Sequence, residues 1–394
     1  MIDMKRGHIN RVKLGVDVLF DEMSELLKGK KVGFIGNQTS VDEDLTHTAD
    51  VLYESSEVQL VALFGPEHGF RGAARGKVES YIDEATGLPA YSLYGETYKP
   101  TPEMLEGIDA LVFDIQDVGV HFYTYESTMA YCMEAAAQQG IEFILMDRPN
   151  PIGGEILEGP ILEEPFRSFV GVYPVPIRHG LTLGELAQLY NVEFGINCKL
   201  TVIPMQGWKR WMWFDETGLG TWVMPSPNMP TLDTAIVYPG TCLFEGTNVS
   251  EGRGTTRPYE IIGAPYINGS KLADELNSRD LPGVRFRAAY FIPTFSKYQG
   301  ELCGGVQLHV RDRNTFRPVA TALHMIEAIR KLYPDQFRFD RQAQDGRKSF
   351  DLLAGTDKIR IQFEQGASAY EIVTTWGEDL QRFDGLRRKY LIYH

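Results

Sequence analysis

Residues 63–72 read LFGPEHGFRG. An apolar run ends there in Gly65-Pro66, and a carboxyl group, Glu67, and an imidazole, His68, follow side by side. Pro66 fixes its own φ, and the flanking glycines permit turns that other residues adopt only with strain. The pair is therefore held at one place, as a proton donor acting on a bound substrate must be. A structural ion pair to Arg71 or Arg75 would use the same carboxylate differently. Turn formation accounts for the Gly and Pro of this stretch but not for Glu-His.

Two further stretches carry reactive side chains. Residues 113–125, FDIQDVGVHFYTY, group Asp114, Asp117 and His121 with Tyr123 and Tyr125. They offer a second carboxyl group opposite Glu67. Alternatively, His68, Asp117 and His121 form a metal-dependent hydrolase site, which needs three or more convergent ligands. A buried Asp114 that caps backbone amides is the structural use of the same residue. Residues 244–258, FEGTNVSEGRGTTRP, alternate glycines with Glu245, Asn248, Glu251, Arg253, Thr255 and Arg257. That composition suits hydrogen bonding to a polyol or a carboxylate. The proline-braced loop 224–230 is expected to form a second wall. Trp208, Trp211, Trp213 and Trp222 either stack on sugar rings or pack in a core. No GxSxG elbow is present.

These residues need a frame. Apolar runs at 31–36, 59–64, 110–115 and 142–147, with a weaker one at 88–93, alternate with helical patterns. Continuous apolar runs of this length fit strands covered on both faces, and the alternation predicts a doubly wound, Rossmann-like parallel sheet. Ligands in such sheets sit beyond the carboxyl ends of the strands. Those ends carry Asn37 and Gln38, then Glu67 and His68, the 94–96 segment, Asp117 to His121, and Arg148 with Asn150. Expected helices are 40–53, opened by a Ser40/Glu43 capping box, one from Thr101-Pro102, and 125–139, closed by Gly140. Neither GxGxxG nor GxxxxGK[ST] follows the first strand, so no nucleotide cofactor is expected, and none of another kind.

The Pro- and Gly-rich segment 150–180 marks a crossing between domains. The expected division is 1–165, carrying Glu67, and 166–394, an α+β domain completing a cleft. The second part opens with a Thr182/Glu185 capping box and a helix through Phe194. Strands 199–204, 284–291 and 305–310 follow, with helices 270–278, 320–332 and one ending near Tyr390. Residues 205–260 read as loop.

A formal net charge of −14 repels phosphate backbones, and no basic run with interleaved aromatics is present, so nucleic acid is not an expected partner. Cys132, Cys198, Cys242 and Cys303 are too scattered for a disulfide framework or a zinc motif and are expected to be buried thiols. No apolar run is long enough for a membrane span, and no signal peptide is visible. The chain as it stands reads as cytoplasmic; an exported protein with its leader removed would read the same.

Assembled, GNQTS, FGPEHGFRG, FDIQDVGVHFYTY, DRPNP, EGTNVSEGRGTTRP and a terminal RRKYLIY resemble, in order and over essentially the whole chain, the NamZ-type exo-β-N-acetylmuramidases. The resemblance implies a Rossmann-like amino-terminal domain, an α/β carboxyl-terminal domain and an active site between them. It implies release of N-acetylmuramic acid from the non-reducing end of peptidoglycan fragments, with Glu67 as the catalytic glutamate. His68, Asp114 and Asp117 join it as catalytic candidates, and Glu245 and Glu251 are also open as the second carboxylate. A substrate-assisted route through the N-acetyl group is open as well. Expected substrate contacts are Asn37, Gln38, Arg71, His121, Tyr123, Tyr125, Arg148, Asn150, Glu245, Asn248, Glu251, Arg253 and Thr255. The lactyl carboxylate of muramic acid would be clamped by Arg253 and Arg257 or by Arg71 and Arg75. A non-catalytic cell-wall sugar-binding protein is the remaining alternative.

Overall fold

The computed structural model describes residues 11–72 and 78–394. Arg75 lies outside them. Six strands come first: β1 (Lys31–Gly36), β2 (Gln59–Gly65), β3 (Tyr81–Ile82), β4 (Pro89–Ser92), β5 (Ala110–Asp114) and β6 (Glu142–Met146). An antiparallel pair, β7 (Glu158–Ile161) and β8 (Pro176–Arg178), fills the Pro- and Gly-rich crossing. The chain then returns to the first sheet with β9 (Lys199–Ile203). The sheet order is β3-β4-β2-β1-β5-β6-β9, parallel except for the antiparallel β3–β4 pair.

β5 and β6 are buried at every position, because helices cover both faces and each side chain meets apolar neighbours. The expected strand at 199–204 thus belongs to the first sheet, which extends beyond the expected crossing at 165. Periodicity assigns a strand but not its sheet; the parallel register Phe143 to Leu200 and Met146 to Ile203 does that.

The expected helix at 125–139 runs Thr124–Gln139 and stops at Gly140, whose φ of 68° lets its N–H turn back onto Ala136 and Ala137. The Thr182/Glu185 box opens helix Leu183–Glu193 as expected. Ser40 does not open a helix. Its hydroxyl bonds the Asp114 carbonyl and accepts from the Asn37 N–H, so it closes the end of the sheet. The helix begins at Thr48, capped by His47. Nor does 101–107 become helical: it folds into turns, since Gly107, at φ 74°, ends the stretch before the nucleation cost is recovered.

The carboxyl-terminal half is α+β. Strands β10 (Ile261–Ala264), β11 (Val284–Phe291) and β12 (Cys303–Val310) pair antiparallel in the order β10-β12-β11. Helix Gly269–Asn277 packs on them, helix Pro318–Leu332 packs on that helix, and four short helices from Ser349 to Arg387 follow. The stretch read as loop contains helix Leu232–Thr241, capped by Thr231 and carrying Pro239. A Cβ on Gly240 would stand 1.9 Å from the Pro318 carbonyl oxygen, so only glycine allows these two helices to meet. The terminal RRKYLIY segment stitches the chain end to the first sheet. The Arg387 guanidinium bonds the Gly154 carbonyl at 2.9 Å, and the Tyr393 hydroxyl donates to Asp147 at 2.7 Å.

Trp208, Trp213 and Trp222 pack against Tyr393, Arg178 and Phe214 respectively. Trp211 is exposed. All four cysteines are free and buried. Among the described residues no helix is long and apolar enough to cross a membrane.

Candidate active site

β2 ends at Gly65, where an added Cβ would meet the Phe70 N at 2.5 Å, so the turn folds back tightly on itself. The Gly69 N–H bonds the Pro66 carbonyl at 2.9 Å, and His68 takes the left-handed φ of 75° that most side chains avoid. This local geometry projects Glu67 and His68 into a cavity of about 290 Å³ at the carboxyl ends of the strands. Its other walls come from the segment before helix Thr124–Gln139, the loop holding Ser226 and Asn228, and the 3-10 helix Cys242–Gly246. The expected wall at 224–230 is therefore present.

Glu67 accepts a hydrogen bond from the Thr124 hydroxyl at 2.7 Å, and Tyr94 lines the same cavity. Burial, and then the charge of Glu67, push the Tyr94 hydroxyl well above its usual range, so it stays a donor. Thr124 is the first residue of its helix, whose amino end favours negative charge nearby. Glu245 accepts from the Tyr259 hydroxyl at 2.7 Å and pairs with Arg253 at 2.9 Å. Glu67 and Glu245 are the two carboxyl groups of the lining. Cys242 Sγ lies 3.7 Å from Glu245; burial and that neighbouring charge push its thiol up, which keeps it protonated and inert.

Of the expected residues, the cavity brings together Glu67, His68, Tyr123, Tyr125, Glu245 and Arg253. The rest lie outside its lining and hold structure. Asp114 forms a buried two-point pair with Arg148, with Nη2 to Oδ2 at 2.8 Å, and also accepts from Thr48. Asn37 accepts from the Thr39 N–H and hydroxyl, and Gln38 donates to the Met224 and Pro225 carbonyls, steadying the wall loop. Arg71 is taken by Asp50 and Asp83 at 2.9 Å each. Asn150 bonds Leu181, and both His121 nitrogens sit against the Val175 and Leu353 carbonyls. Asn248 ties to Gln336 and Arg338, while Thr255 and Arg257 bond Gly252 and Glu260. Glu251 is buried between Arg253 and Lys297. Burial opposes its charge, but the two cations hold it down to about 2. Tyr94, Tyr238, Tyr259, Phe169 and Asn228 join the lining as well. Of these, Tyr94, at the end of a strand, and Asn228, in the proline-braced loop, carried a sequence signal.

The trio His68, Asp117 and His121 does not converge. Among the described residues one group could surround a metal: Asp117, Glu126 and His179, with ligand atoms within 4.8 Å of one another. The His179 Nδ1 accepts from the Leu181 N–H at 3.1 Å, which puts the ring proton on Nε2, donated to Glu126 at 2.7 Å. That tautomer has no Nε2 lone pair for a metal. The cluster holds protons instead. Burial, and then the charge of Glu126, push the Asp117 carboxyl well up; burial alone lifts Glu126 to about 8 and lowers His179 to about 4.

This cluster has a pH signature. A carboxyl raised in the folded state keeps a proton that the unfolded chain releases above its usual value, so stability falls as pH rises from about 4.5 to about 8. Glu126→Gln removes one such proton, and its stability relative to the parent rises by up to about 1.4 kcal/mol per pH unit across that window. Urea unfolding at pH 5 and pH 8 checks this; parallel pH dependence of the two proteins would refute it.

A larger hollow, about 640 Å³, lies between the 160–163 segment and the carboxyl-terminal helices. Its acidic side chains are already paired, Glu163 with Lys358 at 2.9 Å and Asp379 with Arg382. The smaller cavity, with its carboxyl pair and hydroxyls, is the one with the chemistry.

Comparison with known proteins agrees with this architecture. Residues 32–233 match the family model described as exo-beta-N-acetylmuramidase NamZ, N-terminal, and 236–393 its C-terminal counterpart. The peptidoglycan beta-N-acetylmuramidase NamZ of Bacillus subtilis (strain 168) is 55% identical over 385 residues, covering 97% of this chain and 92% of the relative. A crystal structure of a DUF1343 family protein from Bacteroides fragilis NCTC 9343 superposes with a TM-score of 0.92 at 42% identity, covering 98% of this chain and 99% of that one. A second from the same organism gives 0.75 at 32%, covering 97% and 99%. The two family models meet between residues 233 and 236, at the helix that leads from the first sheet into the α+β half, and by these matches the chain belongs to the NamZ family of exo-β-N-acetylmuramidases.

Proposed function

We propose that the cavity at the end of β2 binds one terminal N-acetylmuramic acid residue of a peptidoglycan fragment and that Glu67 delivers the proton to the departing glycosidic oxygen. The observation that carries this reading is the convergence of Glu67 and Glu245 on a cavity at the lower end of small-molecule site volumes, room for a sugar rather than a chain. Thr124 orients the Glu67 carboxyl group, and the helix end behind Thr124 favours the carboxylate left after the proton departs. Glu245, fixed by Tyr259 and Arg253, is the second carboxylate. Arg253 is the guanidinium of the lining, which supports it as the partner of the lactyl carboxylate.

The test is product analysis with a muramic-acid-terminated disaccharide and with longer glycans. Free N-acetylmuramic acid should appear first from both, one residue per event. Internal cleavage of the longer glycan, or binding without release, would overturn the reading.

A further inference from the structure

Glu67 shares its cavity with an aromatic file that the proposed chemistry has not used. Tyr94, which lines that cavity, packs its ring 5.6 Å from Phe169 and 5.7 Å from Tyr98. Phe169 and Tyr98 are stacked, with centroids 4.3 Å apart and an interplanar angle of 30°. Tyr131 backs Phe169 from behind at 6.1 Å. Tyr94 and Phe169 line the cavity; Tyr98 does not, and remains 38% exposed. Among the described residues, Tyr98 is the exposed aromatic in ring contact with cavity-lining side chains. The file therefore runs from the cavity that holds Glu67 out to solvent.

A glycosidic oxygen has a sugar on each side. With one ring in the cavity, the other must leave past Glu67, which is where this file stands. Pyranose rings present a C–H face that an aromatic ring can cover, and a tyrosine keeps its polar tip in water while doing so. We propose that Tyr98, backed by Phe169, is the platform for the leaving saccharide, the N-acetylhexosamine ring attached to the terminal muramic acid. The inference rests on Glu67 as the proton donor.

The experiment uses the Glu67→Gln protein, in which turnover is blocked, and titrates N-acetylmuramic acid and the muramic acid–hexosamine disaccharide by calorimetry. The disaccharide should bind about three- to tenfold more tightly than the monosaccharide. Tyr98→Ala should erase that advantage and leave the monosaccharide affinity within about twofold, while Tyr98→Phe should keep it. Equal weakening of both ligands by Tyr98→Ala, or an undiminished advantage, would overturn the platform while leaving the cavity reading intact. Failure of Glu67→Gln to bind either sugar would overturn the cavity reading, and the platform with it.

Discussion

Glu67→Gln is expected to fold like the parent and to lose about 10²–10⁴-fold in turnover of a muramic-acid-terminated disaccharide, the range supplied by general acid catalysis. The amide keeps the size of the side chain and an oxygen that accepts from Thr124, so the turn at Gly65–Gly69 has no reason to move. What it lacks is a proton to give. The loss should shrink when the leaving group is an activated phenol, which departs without protonation, and be greatest for a sugar alkoxide. Thermal unfolding and the ratio of the two losses check this together. Parent-like turnover of the disaccharide, or the same loss for both leaving groups, would remove Glu67 from the role of acid.

The second large effect is on stability. Asp114→Asn leaves the Arg148 guanidinium buried with its two-point partner gone, and breaking a buried pair from one side costs about 3–5 kcal/mol. The pair also anchors loop 37–41, since Arg148 donates to the Val41 carbonyl at 2.7 Å and Thr48 to Asp114 at 2.8 Å. Activity should fall only as far as the folded fraction falls, and recover at low temperature. A variant that unfolds like the parent but cannot turn over substrate would make Asp114 a chemical participant.

These two carboxylates show how much was legible in the residues alone. Both stand at strand ends, and both come from stretches that read as site motifs. Glu67 enters the cavity because its own neighbours direct it: Pro66 and the glycines set the backbone within a few residues, and that information is local. Asp114 is drawn away by Arg148, a partner that no periodicity reveals. Arg71 is claimed in the same way by Asp50 and Asp83, and Glu251 by Lys297.

The alternating strands, the stiff turn after β2, the helix closed by Gly140 and the Thr182/Glu185 cap are legible in the residues alone, because each depends on φ preferences and side chains a few residues apart. Packing across the whole chain brings β9 into the first sheet, puts Glu245 rather than Glu251 or Asp117 in the cavity lining with Glu67, and adds Tyr94, Tyr238 and Tyr259 to the walls. The reason is physical. A charged side chain does its work with whichever partner packing brings within a few ångströms, and those partners are set by burial across the whole chain.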